Sequence, residues 1–172
     1  MVVNRDQWAE RVSAIPNWLC PTCQRGHLKA NAKIKMVIVE TGESSRGRDY
    51  DDWEPDWMVN RFVTMIQCDD NACGEVVAVS GTLKYVEGDF DSGNQHYVNQ
   101  YEIEATVPAP LPILIHKKVP PAVALLLAAA APHLWSDPEA AANKIRQSVE
   151  AFLTDQGVVR FTTGRNGKRA TL

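Results

Sequence analysis

All the cysteines of this chain fall into two close pairs, Cys20-Pro-Thr-Cys23 and Cys68-Asp-Asp-Asn-Ala-Cys73. Four thiolates fill a tetrahedral shell around one ion and leave no cysteine over, so this spacing requires two distant parts of the chain to meet. The first pair turns through Pro21, is flanked by Trp18 and Leu19, and runs through Gly26 into an extended segment. It reads as one knuckle of a zinc ribbon. A shell of four thiolates keeps no position open for water, so the ion expected at Cys20, Cys23, Cys68 and Cys73 is a structural Zn2+. Asp69 and Asp70 sit inside the second loop, but thiolates outcompete carboxylates for zinc and these acids read as solvated turn residues. His27, four residues after Cys23, is a weaker alternative ligand. A redox Cys-x-x-Cys would open a helix within a βαβ unit, whereas Cys23 leads through Gln-Arg-Gly into strand-like sequence.

With 45% hydrophobic and 23% charged residues over 172 positions, the chain can bury a core as one domain or two small ones. A net charge of -3 and a pI near 5.8 give no general case for a nucleic-acid or anionic-membrane partner, so any such contact has to be local. The polar N-terminus lacks the pattern of a secretory signal, which sets the expectation of a cytoplasmic protein with reduced thiols. The longest apolar run, residues 119–132, is broken by prolines and falls short of the roughly 20 apolar residues of a membrane-spanning helix. No membrane association is expected.

Residues 5–15 place Trp8, Val12 and Ile15 at helical spacing before Pro16, predicting a short helix. Residues 33–40 alternate as a strand partly covered on both faces, and residues 41–56 read as an exposed loop. Strand character returns at 57–67 and at 75–80, which puts the second cysteine pair in the turn of an antiparallel hairpin. Further strands are expected at 82–86 and 97–107, separated by a Gly/Asp/Ser-rich turn around 88–93. Pro108, Pro110 and Pro112 form a linker. Behind it, Pro120 and Pro121 start an all-apolar helix that needs cover on every side. A second helix is expected with Ser136 as N-cap and Glu139 as its capping-box partner, a buried stripe of Ala142, Ile145, Val149 and Phe152 or Leu153, and a stop at Gly157. The resulting class is α+β: a zinc-ribbon-like antiparallel β domain with an N-terminal helix over residues 1–108, then a helical part over 109–172.

Outside the cysteines the chemistry is sparse. His96, His116 and His133 have no nucleophile pattern around them, and the acids at 49, 51, 52, 54 and 56 lack the glycine and ligand spacing of a calcium loop. Arg146 and Glu150 share a helix face as an exposed pair. Trp53 and Trp57 flank this acidic loop as either a lid on the sheet or a recognition surface. Arg160, Arg165, Lys168 and Arg169 make the tail basic and able to contact phosphates.

The order of features, a WLCPTC knuckle, a second cysteine pair after a strand, a proline-rich joint and a helix carrying IRQSVEAFL, resembles the bacterial domain of unknown function 4145 (DUF4145). The resemblance implies a zinc-ribbon-like front and a helical part similar to the HEPN superfamily, whose members include RNases. Such members continue into a segment with Gly-Asn and His, which this chain does not reach by Leu172, so no catalytic residue carries over. The function expected is a zinc-binding interaction module, accessory to bacterial defence or nucleic-acid processing, with no catalysis of its own. Its partner would be another protein or a second copy held through the C-terminal helices, with nucleic acid weakly supported. The alternatives are a HEPN-like ribonuclease completed by further residues or a second chain, and a purely structural homo-oligomer.

Overall fold

The computed structural model describes residues 5–88, 97–158, 161–163 and 169–171. It is α+β, with a curled antiparallel sheet and a C-terminal helical part, in two compact units, Met1–Leu114 and Ile115–Leu172.

The first unit is built on three long strands, β4 (Val59–Cys68), β5 (Val76–Glu87) and β6 (Tyr97–Val107). Strand β1 (Arg11–Val12) pairs with β6, and β5 lies between β6 and β4. The other side of β4 is shared end to end by β2 (Leu28–Ala30) and β3 (Val37–Glu40), which pair with its C-terminal and N-terminal halves. Alternation along β4 turns Phe62, Thr64, Ile66 and Cys68 inward and leaves Arg61, Val63 and Met65 exposed. Opposite them Val77, Val79 and Leu83 of β5 and Tyr101 and Ile103 of β6 complete the core, together with Trp18 and Leu28. Phe62 meets Tyr101 edge to face at 5.2 Å.

Several expectations change. Residues 5–15 do not form a helix: a single 3-10 turn (Arg5–Trp8) is followed by β1, where Val12 pairs with Tyr101 and is buried. Three apolar residues at helical spacing were too few to outweigh a sheet edge. The strand expected over 33–40 shortens to β3, and Val37, Ile38 and Val39 are exposed rather than covered. The loop at 41–56 contains helix α1 (Gly42–Gly47), N-capped by Thr41, and is followed by a 3-10 turn (Pro55–Trp57). The strands expected at 75–80 and 82–86 are one strand, β5. Its register shifts at Ser80/Gly81, where the Gly81 backbone comes so close to Glu102 that a Cβ would lie 2.0 Å from the Glu102 carbonyl oxygen. Glycine there marks a bulge, not a break. The turn expected at 88–93 lies largely outside the described residues, as does His96.

In the second unit α2 (Pro121–Ala130) packs against α3 (Pro138–Asp155). The N-cap of α3 is Asp137, whose carboxylate accepts the Ala140 N–H at 2.9 Å; Ser136 instead donates to the Pro132 carbonyl. The buried positions of α3 are Ala141 and Ser148, while Ala142, Ile145, Val149, Phe152 and Leu153 are exposed. On α2 only Val123 and Ala130 are buried, and Leu125 is 71% exposed. Small residues let the helices approach where the sequence pattern pointed to large ones. The helix ends at Gly157, which takes a φ of 74°. Beyond it β7 (Phe161–Thr163) pairs antiparallel with β8 (Arg169–Thr171), where the sequence predicts only a basic tail. Arg160, Arg165 and Lys168 lie outside the described residues. No helix among the described residues is long and apolar enough to cross a membrane.

Candidate metal centre

The antiparallel register carries the two cysteine pairs to one place. Cys68 is the last residue of β4 and faces Leu28 of β2, so the segment that follows the first pair is bonded to the strand that precedes the second. The first knuckle is closed by the bridge between Leu19 and His27, by the Cys20 N–H to the Gly26 carbonyl (2.9 Å), and by the Gln24 N–H to the Cys20 carbonyl (3.0 Å). The second is closed by the Cys68 N–H to the Glu75 carbonyl (2.8 Å) and by the N–H groups of Cys73 and Gly74, both donating to the Asp70 carbonyl. Gln24 and Gly74 take the positive φ values, 53° and 64°, that these tight turns require.

All four Sγ atoms lie within 4.8 Å of one another, in an arrangement that could hold a metal ion. The pairs Cys20–Cys73 and Cys23–Cys68 are each 3.7 Å apart. That is far beyond a disulfide bond of about 2.05 Å, and the four thiols are free. A tetrahedron of thiolates about 2.3 Å from a central zinc has sulfur–sulfur edges of about 3.8 Å. Each short contact is between one knuckle and the other, so the cluster lies where the start of the unit meets the β4–β5 hairpin.

Around the sulfurs, backbone donors and burial act in opposite directions. The N–H groups of Gly26 and Arg25 lower the Cys23 thiol to about 6, the Gly26 N–H lying 3.4 Å from its sulfur. Burial pushes Cys68 up to about 12. At Cys73 the Glu75 N–H favours the thiolate, but burial and the neighbouring thiols of Cys20 and Cys23 outweigh it and the net direction is upward. A cation at the centre would reverse these upward shifts, because thiolates bind it as anions.

The neighbouring acids are occupied elsewhere. Asp69 accepts the His27 backbone N–H at 2.7 Å and pairs with Lys29 at 2.8 Å, and these two contacts hold its carboxyl below the usual range. Asp70 pairs with Arg25 at 3.1 Å and caps the turn through the Ala72 N–H at 2.9 Å. Neither belongs to the sulfur cluster, and neither does the exposed His27. One residue the spacing did not single out is Gly26: a Cβ there would lie 2.6 Å from Cys68 Sγ. Its signal in the sequence is a glycine three residues after a Cys-x-x-Cys, where the second knuckle must come in close.

The remaining candidates do not converge. Arg146 and Glu150 form a pair at 3.9 Å, with the arginine side chain 73% exposed. His116 accepts the Lys118 N–H through Nδ1 at 3.1 Å, and His133 ends the short turn after α2.

Fold and site together define an antiparallel β unit with a four-cysteine cluster joining its two knuckles. Residues 10–108 match the family model described as Domain of unknown function (DUF8608), more than half of the chain including all four cysteines, and the chain belongs to that family. This corrects the resemblance to DUF4145, and the HEPN and defence expectations that came with it fall away. That resemblance rested on two short cysteine spacings, which any four-thiolate site shares, and on an arginine–glutamate pair that is an ordinary surface contact. Neither the curated proteins nor the solved structures contain a match to the chain.

Proposed function

We propose that this protein is an interaction module whose β unit is held by one structural zinc ion on Cys20, Cys23, Cys68 and Cys73, in a reducing, cytoplasmic setting. The observation that carries the reading is the pair of 3.7 Å sulfur contacts between knuckles, which fit the edges of a zinc–thiolate tetrahedron. With four thiolates around the ion, no position is left for water or substrate, so the metal supports the fold and takes no catalytic step. Structural zinc contributes roughly 10–16 kcal/mol in small zinc peptides, comparable to the whole stability of a domain at about 5–15 kcal/mol. The purified chain is therefore expected to contain one zinc per molecule by elemental analysis, and chelation should abolish the cooperative melting of the β unit. Iron in place of zinc would overturn the ion's identity, and a metal-free protein with unchanged melting in chelator would overturn the site.

The partner in this reading is a protein or a second copy, engaged through the C-terminal helices. Ile145, Val149 and Phe152 recur at helical spacing on α3 and are 42%, 52% and 44% exposed, a stripe that supports association. Light scattering at tens of micromolar should show a dimer that Phe152→Arg dissociates. A monomer at that concentration would rule out self-association as the role of this face.

A further inference from the structure

Each of the two short sulfur contacts pairs a buried thiol with a half-buried one. Cys20 and Cys68 are 0% and 7% exposed, whereas Cys23 and Cys73 are half-buried. The 3.7 Å contacts set Cys73 against Cys20 and Cys23 against Cys68. A solvent-reachable sulfur with a second sulfur directly behind it is the arrangement in which a small oxidant is met and its product resolved. The knuckles also hold their relative position through contacts that involve no sulfur. Leu28 pairs with Cys68 between β2 and β4, the Asp69 N–H donates to the His27 carbonyl at 3.0 Å, and the His27 N–H donates to Asp69 Oδ1 at 2.7 Å. The ion pairs Arg25–Asp70 and Lys29–Asp69 bridge the same junction. None of these contacts depends on the oxidation state of a sulfur.

We infer that the cluster is also a site of peroxide oxidation, in which Cys23 and Cys73 take the oxygen and Cys68 and Cys20 resolve it as two disulfides crossing between the knuckles. The Cys23 thiolate attacks one oxygen of hydrogen peroxide, the O–O bond breaks, hydroxide leaves and the sulfur becomes a sulfenic acid. The Cys68 thiolate then attacks that sulfur, the S–O bond breaks, a second hydroxide leaves and the Cys23–Cys68 bond forms. Cys73 and Cys20 repeat the sequence with a second peroxide. Each disulfide thus gives two electrons to one peroxide, and a thiol reductant reverses it. Zinc is held by thiolates and not by disulfides, so the ion is released; this step alone rests on the zinc reading. The pairing decides the outcome for the fold. Bonds within Cys20–Cys23 and Cys68–Cys73 would close each knuckle on itself and leave the two unlinked. Crossed bonds join residues 53 and 45 positions apart, which constrains the unfolded chain far more and replaces the ion as the link.

The test uses the purified full chain, with its metal content measured first. Hydrogen peroxide is added in steps, remaining thiols are blocked with an alkylating agent, and the disulfides are mapped by mass spectrometry. Cleavage before Asp69 and Asp70 separates Cys68 from Cys73, and fragmentation between Cys20 and Cys23 assigns each half. The expected map is Cys20–Cys73 and Cys23–Cys68, at one peroxide per disulfide, with zinc passing to a chromogenic chelator in step with thiol loss. Dimedone added together with the peroxide should label Cys23 and Cys73, not Cys20 and Cys68. The oxidised, metal-free protein should keep a cooperative melting transition in excess chelator, and dithiothreitol should make that transition sensitive to chelator again. Disulfides within the knuckles, bonds between chains, or label on the buried pair would each overturn the inference. So would four free thiols at millimolar peroxide, or loss of the cooperative transition in protein that carries the crossed bonds. A chain with no metal at the outset that still yields the crossed map would overturn the zinc reading and uphold this one. A zinc-loaded chain that resists peroxide would do the reverse.

Discussion

A methyl group at position 26 would lie 2.6 Å from Cys68 Sγ and 2.9 Å from Asp69 Oδ1, so the two knuckles can close only over a glycine. Gly26→Ala is therefore expected to lower both metal content and melting temperature while leaving all four ligands in place, measured by elemental analysis and calorimetry on the same sample. Gly81 makes the comparable demand on the sheet. Its obstacle is the Glu102 backbone, which cannot rotate away, so Gly81→Ala should cost at least the roughly 1–3 kcal/mol typical of overpacking in denaturant unfolding. Spacing in the sequence identified the cysteines because ligand chemistry is local to the residues. It did not identify either glycine's role, because each role is set by an atom distant in the chain.

At the level of elements, alternation made β4 and the second half of the hairpin legible, and the structure adds which face is covered. Leu83 is 1% exposed and Val63 45%. Leu83→Ala is expected to destabilise the β unit by about 2–5 kcal/mol, whereas Val63→Thr should stay within about 0.5 kcal/mol, both read from denaturant midpoints. For α3 the sequence located the helix and its end but placed the start one residue early. Asp137→Ala should cost about 1 kcal/mol and Ser136→Ala much less, because the Asp137 carboxylate is the one that accepts the Ala140 N–H. The stripe was misplaced for a different reason. Ala142 and Val149 each lie one position beyond a buried residue, Ala141 and Ser148, on a helix whose neighbour, α2, is itself alanine-rich, and hydrophobicity alone does not register a contact between small residues.

Across the molecule, the cysteine cluster brings residues 20–23 together with the end of a hairpin more than forty positions away, and a metal bound there would hold the two. Since the shell would have no spare ligand, Cys20→Ser, Cys23→Ser, Cys68→Ser and Cys73→Ser should be equivalent in effect. Each should lose metal and lower the melting temperature of the β unit by a similar amount, despite the opposite directions in which Cys23 and Cys68 are shifted. A variant that kept full zinc and native melting would show that its thiol lies outside the shell. The sequence by itself determined the α+β class, the hairpin that carries the second pair, and the four cysteines that come together, because strand alternation and thiolate chemistry are written in neighbouring residues. Only the tertiary structure decided that residues 11–12 join the sheet, that Gly81 is a bulge within one strand, and that the knuckles meet over Gly26. Each of these depends on a contact between residues far apart in the chain, where the free energy of pairing and burial outweighs any local preference.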